Sequence, residues 1–303
     1  MIITIGAFDG FHRGHEKLLE VCRENSINND WGVVTFYPHP SQFMNKFKHS
    51  LFTLEERELI RKFLGIPNFL VLKFDETFKN LTPDEFWQLL NSKIKIDGLV
   101  MGSDFKFGHE RAGDSKYLEN LAISKGIDRN RIFIVDVLNK SDFSSSNIRK
   151  KISNGNINEA NEILGYNWFI LGKIVHGNQR GRTMNFPTAN IKVPENKIIP
   201  SDGVYSVAVS IGGKFYCGAL SIGNNPTFHD VDETRIEVFI MDFHEDIYGD
   251  EILVFFLDRI RDIKVFPDKE SLMQQIKIDT EKCKRSYEDK INYVNRFTLS
   301  YKF

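Results

Sequence analysis

Apolar residues in the first half of the chain come in short unbroken runs, separated by stretches of helical period. IITIG (2–6), WGVVTF (31–36), NFLVLKF (68–74), GLVMG (98–102) and RIFIVDV (131–137) read as five strands. GHEKLLEVCREN, TLEERELIRKFLG, TPDEFWQLL, SKYLENLAISKG, SSNIRKKI and INEANEILG place apolar residues three and four apart and read as helices. Thr53–Glu56 and Thr82–Glu85 have the spacing of capping boxes, Pro83 suits a first helical position, and Gly65 and Gly126 suit helix ends. Strands that are apolar throughout are buried on both faces, so this alternation predicts a mostly parallel sheet covered by helices.

Near residue 165 the pattern changes. GVYSVAVSI (203–211) alternates with period two, Gly212-Gly213 suits a hairpin turn, and KFYCGALSIG (214–223) returns. RIEVFIMDF (235–243) and EILVFFLDRI (251–260) are two further strands, joined by a turn near Tyr248-Gly249-Asp250. A long helical segment runs from about Asp268 to Asn292. The second half therefore reads as a small antiparallel barrel or sandwich with a C-terminal helix. The seam falls at Gly165–Trp168, giving domains of residues 1–165 and 166–303.

Composition narrows the function classes. A chain of 303 residues suits two domains, and 40 basic against 41 acidic residues leave a net charge of −1. That balance argues against a broad nucleic-acid-binding face but not against a local anion pocket. Cys22, Cys217 and Cys283 are far apart and in no CxxC spacing, which suits reduced thiols in a cytoplasmic protein. MIITIGAF has no basic leader before it, and no apolar run reaches the length of a membrane span.

Chemistry concentrates at strand ends, where open α/β sheets bind ligands. GAFDGFHRGH (6–15) follows the first strand and opens a helix. Gly6, Gly10 and Gly14 let an anion approach the backbone, and His12 and His15 fall on one helix face, able to donate to the same phosphate. Two other readings stay open. The pair could hold a metal with Asp9 or His39 as a third ligand, or both imidazoles could be solvated loop residues. TFYPHP (35–40) and FSSSNIR (143–149) lie at the same sheet edge. Ser144, Ser145 and Ser146 offer hydroxyls and N–H groups, and Arg149 can clamp phosphate oxygens. No P-loop motif occurs.

Taken in order, GAFDGFHRGH, TFYPHP, LTPDEFW, VMGSDFKFG, RAGD and SSSNIR resemble the N-terminal domain of the bacterial bifunctional riboflavin kinase/FAD synthetases, themselves HxGH nucleotidyltransferases. GKIVHGNQRGRTMNFPTANI (172–191), PSDGVYSV, GALSIGNNPTF and IEVFIMDFHEDIYGDEI are similar to the riboflavin kinase domain of the same family. The resemblance implies an α/β, Rossmann-like adenylyltransferase domain followed by a small antiparallel β-barrel kinase domain with a C-terminal helix. It implies phosphorylation of riboflavin to FMN, then adenylylation of FMN to FAD and pyrophosphate, with ATP as donor and Mg²⁺ as cofactor. His12 and His15 would stabilise charge on the departing pyrophosphate. Gly6, Phe8, Gly14, Ser145, Ser146 and Arg149 would complete that ATP site, and Asp104 would lie on the flavin or adenosine side. In the kinase half, Gly177, Arg180, Gly181 and Arg182 would form the phosphate loop. Thr188 and Asn190 would hold Mg²⁺ and phosphates, Asn225 would face the flavin, and Glu237 would be the base.

Three positions depart from the family pattern: Asn185 before FPTAN, Phe239 in the strand of Glu237, and Asn147 in SSSNIR. The chain also starts almost at its first strand, without the family's short leader. A single-activity enzyme and a non-catalytic flavin-binding protein of the same fold are the alternatives. Small molecules are the expected partners, without nucleic acid or membrane, and a weak homo-oligomer is compatible with the sequence.

Overall fold

The apolar runs of the first half become β1 (Ile2–Ile5), β2 (Trp31–Tyr37), β3 (Asn68–Lys73), β4 (Gly98–Gly102) and, beyond a two-stranded hairpin of β5 (Lys106–Phe107) and β6 (Gly113–Asp114), β7 (Ile132–Val135). They form one five-stranded sheet in the order β3-β2-β1-β4-β7, parallel throughout. The order reverses at β1, so its carboxyl end lies at the topological switch point. In this computed structural model the described residues are 1–136, 142–176, 186–223 and 235–298.

Helices α1 (Arg13–Glu24), α2 (Pro40–Phe43), α3 (Leu54–Phe63), α4 (Glu76–Lys79), α5 (Pro83–Lys93) and α6 (Ser115–Ser124) accompany the sheet. Ile3, Ile5, Val34, Phe36, Leu99 and Met101 share a core with Phe86, Trp87 and Leu90 of α5 and Leu118 and Ala122 of α6. α1 packs on β1 and β4 through buried Leu18, Leu19 and Cys22. Both capping boxes form: Glu56 N–H donates to Thr53 Oγ1 while Thr53 N–H donates to Glu56, and Thr82 and Glu85 do the same. The chain leaves α3 and α6 at Gly65 and Gly126, both in left-handed backbone that costs glycine little. The short elements α2, α4 and the β5–β6 hairpin are too brief to announce themselves by periodicity.

The chain clusters into two units, Met1–Ser50 with Arg57–Ser145, and Leu51–Glu56 with Ser146–Phe303. The second unit holds α7 (Ser145–Ser153) beyond its first residue, α8 (Ile157–Leu164), β8 (Phe169–Val175), β9 (Thr188–Lys192), β10 (Gly203–Ile211), β11 (Lys214–Gly223), β12 (Arg235–Ile240), β13 (Glu251–Arg261) and α9 (Lys269–Thr298). The strands close a barrel in the order β10-β11-β12-β9-β8-β13. Ile236, Val238 and Ile240 face inward with their partners Ile222, Leu220 and Gly218. Gly172 has no room for a side chain, since a Cβ there would stand 2.3 Å from Ile191 Cγ2. α9 packs on the outside of β10, β11 and β13, where Arg261 pairs with Asp279 at 2.8 Å and Ser206 donates to the Cys283 carbonyl.

Two differences from the sequence reading have physical causes. β8 does not stand out as a strand, because Gly172 and Lys173 break the apolar run of FILGKIV without giving it a clean period of two. β12 ends at Ile240 rather than at residue 243, because Asp242 turns the chain at φ 55°.

One polar cluster sits inside the second unit. Lys197, without exposed side-chain surface, donates to Glu56 Oε2 (2.6 Å), to the Leu51 carbonyl (2.7 Å) and to the Phe169 carbonyl (2.9 Å). Its ammonium lies 4.4 Å from the Phe52 ring centroid and 4.6 Å from that of Trp168. Glu56 accepts from Leu171 N–H through Oε1 and from Thr53 N–H through Oε2. Burial pushes this carboxyl upward, against the pull of Lys197 and the N–H donors. Because both oxygens only accept hydrogen bonds, the carboxylate is the form the cluster accommodates.

Candidate functional sites

After β1 the chain cannot run straight into α1. Phe8 (φ 42°), Gly10 (φ 111°) and Phe11 (φ 43°) take left-handed backbone, a conformation that bulky residues adopt only when their surroundings impose it. Burial imposes it here: Phe8 and Phe11 are 1% and 2% exposed, with ring centroids 5.3 Å apart. The loop is tied down from several sides. Gly6 N–H donates to the Val34 carbonyl at 3.0 Å, Thr35 Oγ1 to the Ala7 carbonyl at 2.8 Å, and Ser145 Oγ, the first residue of α7, to the Asp9 carbonyl at 3.0 Å.

This loop delivers two imidazoles to the head of α1. His12 is the N-cap, without a side-chain cap bond, and His15 N–H donates to the His12 carbonyl at 2.7 Å. The rings stack with centroids 3.9 Å apart, and Phe8 backs His15 at 4.7 Å. Burial, with the neighbouring His12, holds the His15 imidazole well below its ordinary range, so it is neutral near pH 7. His15 Nδ1 is buried without a hydrogen-bond partner. A neutral ring next to a helix N-terminus, with polar capacity to spare, suits hydrogen bonding to an anion. Gly14 must be glycine: a Cβ would stand 2.9 Å from the Phe143 carbonyl and 3.0 Å from the His12 ring. Among the described residues no three His, Cys, Asp or Glu side chains are grouped to hold a metal, so neither Asp9 nor His39 completes a triad with the pair.

Gly6, Phe8, Gly14, His12, His15 and Ser145 are thus gathered at one strand end. Asp104 is exposed in the turn after β4, the neighbour of β1, where Phe105 N–H donates to the Gly102 carbonyl. Ser146 and Arg149 follow along α7 and belong to the second unit.

In the barrel, Thr188, Asn190 and Glu237 share the outer face. Glu237 is registered opposite Asn190, and Phe239 opposite Thr188. Thr188 Oγ1 donates to Glu237 Oε2 at 3.3 Å. Phe239 packs edge-on against Phe186 at 5.3 Å. Beside Thr188 opens a pocket of about 290 Å³, lined by residues including Ile174, Pro187, Thr188, Ile240, Phe243 and Tyr248. Tyr248 stacks on His176 with centroids 3.9 Å apart. A hydroxyl and an amide on one face are hard oxygen donors of the kind Mg²⁺ takes, so Thr188 and Asn190 fit that ion. Gly177, Arg180, Gly181, Arg182, Asn225 and Asn185 lie outside the described residues.

Sequence reasoning missed Arg57, 2% exposed on α3, which donates to the Ala7 and Phe36 carbonyls, and it missed the Glu56–Lys197 pair. A signal was present. Glu56, Arg57, Ile60 and Phe63 form the buried stripe of α3, capped by buried Thr53, and charged residues inside an apolar helical period ask for partners.

Two family models match the chain end to end. The model for FAD synthetase matches residues 1–147, and that for riboflavin kinase matches residues 164–287. A bifunctional riboflavin kinase/FMN adenylyltransferase of Listeria monocytogenes is 33% identical over 92% of this chain and 90% of its own. The Bacillus subtilis protein of the same name is 33% identical over 94% and 92%, and the Escherichia coli K12 protein is 32% identical over 92% and 90%. A crystal structure from Streptococcus pneumoniae, described as a macrolide-efflux protein, superposes with a TM-score of 0.82 at 34% identity, covering 93% of each chain. No described helix here is long and apolar enough to cross a membrane. With both halves matched in order and nearly to full length, the chain belongs to the bifunctional riboflavin kinase/FMN adenylyltransferase family, the enzymes that turn riboflavin into FMN and FMN into FAD.

Proposed function

We propose that the two reactions divide along the chain, with adenylyl transfer carried by residues 1–165 and phosphorylation by residues 166–303. The stack of neutral His15 on His12 at the head of α1 is the observation that carries the first assignment. A phosphate oxygen of FMN attacks the α-phosphorus of ATP, the bond to the α–β bridging oxygen breaks, and pyrophosphate leaves. His12 and His15 donate hydrogen bonds to the oxygens on which charge accumulates. Gly6, Phe8 and Gly14 shape the loop, Ser145, Ser146 and Arg149 serve the β and γ phosphates, and Asp104 serves the flavin or adenosine side. Preorganised donors of this kind are each worth about 10²–10³ in turnover.

In the barrel the Thr188–Glu237 hydrogen bond supports the second assignment. Glu237 accepts the proton of the ribityl 5′-hydroxyl as that oxygen bonds to the γ-phosphorus and ADP departs. Thr188 and Asn190 would hold Mg²⁺, which when bound neutralises charge on the phosphates. Thr188 lines the adjoining pocket, where Ile174, Ile240, Phe243 and Tyr248 give a nucleotide base an apolar side and His244, Glu245 and Asp246 give it a polar one. Gly177, Arg180, Gly181 and Arg182 supply the phosphate loop, and Asn225 meets the flavin. Burial pushes the Cys22, Cys217 and Cys283 thiols up to about 12, which supports inert thiols, and the setting is cytoplasmic in this reading. Neither reaction calls for nucleic acid or membrane, and a weak homo-oligomer is compatible with both.

Incubating the protein with riboflavin, ATP and Mg²⁺ and resolving FMN and FAD by chromatography tests this reading. His12→Ala and His15→Ala are expected to stop at FMN. Loss of both products from a folded variant refutes the division of labour.

A further inference from the structure

Arg57 takes no part in the chemistry above, yet its guanidinium reaches three groups behind the histidine loop. One terminal nitrogen donates to the Ala7 carbonyl at 3.1 Å and to Thr35 Oγ1 at 3.3 Å, and the other donates to the Phe36 carbonyl at 3.1 Å. Thr35 Oγ1 itself donates to Ala7, so the Ala7 carbonyl accepts from two side chains. The Tyr37 ring stands over the guanidinium, with its centroid 5.7 Å away.

The Ala7 carbonyl belongs to the turn that leaves β1, and the Phe36 carbonyl lies in β2 one residue before its carboxyl end. Ala7 directly precedes Phe8, the first left-handed residue of the loop, and the plane of the Ala7–Phe8 peptide sets the course of the chain toward His12. A loop with strained bulky residues keeps its shape only when neighbours over-determine it. Arg57 and Thr35 do so at the point where the chain departs from the strand.

We propose that Arg57 is a positioning residue for adenylyl transfer, acting through the Ala7 carbonyl to hold His12 and His15 in register with the triphosphate. Only a planar fork with several fixed donors spans both strand ends at once; a lysine in its place would keep the charge but not that reach. The inference rests on the assignment of adenylyl transfer to the histidine loop.

The test uses the full chain, with FMN formation from riboflavin as an internal control on folding. Arg57→Met is expected to lower kcat for FAD formation from FMN and ATP by about 10²-fold, the usual penalty for a misplacement near 1 Å. Both KM values should stay within about threefold, and FMN formation should be unchanged. Arg57→Lys should recover part of the loss, and Thr35→Val should show a smaller loss of the same kind. A kcat at the wild-type level in Arg57→Met overturns the proposal, as does an equal loss of both activities. If Arg57→Met does not fold, wild-type kcat in Thr35→Val overturns it. His12→Ala, run alongside, separates the two levels of the reading. Retained adenylyl transfer there removes the site assignment and this proposal with it. Lost activity in His12→Ala with normal Arg57→Met removes the positioning role alone.

Discussion

Lys197 and Glu56 allow a prediction that separates a true buried ion pair from a backbone clamp. Replacing Lys197 by Met leaves a shielded carboxylate without its cation, and breaking a buried pair in this way typically costs about 3–5 kcal/mol. Many buried pairs can be exchanged wholesale for apolar residues at little cost. Here that exchange should fail. Glu56 also accepts from the N–H groups of Thr53 and Leu171, and Glu56→Leu with Lys197→Met orphans both. Each costs about 1–3 kcal/mol if it stays shielded from water, so the double variant should remain about 2–6 kcal/mol below the parent. Glu56→Gln should fail as well, because its amide N–H₂ would meet an N–H or an ammonium on whichever side it faced. The measurement is urea unfolding followed by tryptophan emission, with Trp31 and Trp87 of the first unit replaced by Phe so that buried Trp168 reports alone. A loss of about 3 kcal/mol moves the midpoint by about 1–3 M urea at ordinary slopes. A double apolar variant as stable as the parent would refute the clamp.

Three further outcomes are expected. Because the His15 imidazole sits below its ordinary value in the folded chain, the unfolded chain takes up its proton first as pH falls through about 6.5. Stability of the first unit should therefore drop with acidification by up to about 1.4 kcal/mol per pH unit until the folded ring titrates, and His15→Asn should flatten that slope; identical slopes would sink the assignment. Gly14→Ala pushes a methyl against the Phe143 carbonyl and the His12 ring, so FAD formation should fall by about 10²-fold with FMN formation intact, read from the same chromatogram. Glu237→Gln keeps a partner for Thr188 but removes the base, so FMN formation should fall by about 10²–10⁴ while FAD formation from supplied FMN proceeds normally; unchanged riboflavin phosphorylation removes Glu237 from the mechanism.

The parallel sheet was legible because its strands are apolar throughout and its helices carry marked starts at Thr53 and Thr82 and ends at Gly65 and Gly126. Local spacing also pointed to His12 with His15, which are close in sequence and share one helix face, whereas Thr188 and Asn190 were picked out by the family resemblance. What escaped was non-local. The opposition of Glu237 to Asn190 depends on register between distant strands, and the grip of Arg57 on Ala7 joins residues 50 apart. β8 escaped for a different reason: Gly172 and Lys173 interrupt its apolar run, so it shows neither the unbroken run of the first sheet nor a clean period of two.

The partnership of Glu56 with Lys197 spans 141 residues, and a chain emerging from the ribosome meets that distance as time. At about 5–20 residues per second, the interval is roughly 7–28 s. For most of it, Leu51 and Phe52, among the most deeply buried residues of the finished protein, lack Trp168, and until its end they lack Lys197. Residues of the first unit on either side can begin to associate while this short segment waits for a partner not yet translated. A nascent protein of this kind presents a brief, fixed apolar address in the middle of its first half, where a chaperone would bind and from which the barrel must displace it. Stalling synthesis with residue 197 still inside the ribosome should leave that address on, and stalling it with the whole barrel outside should switch it off.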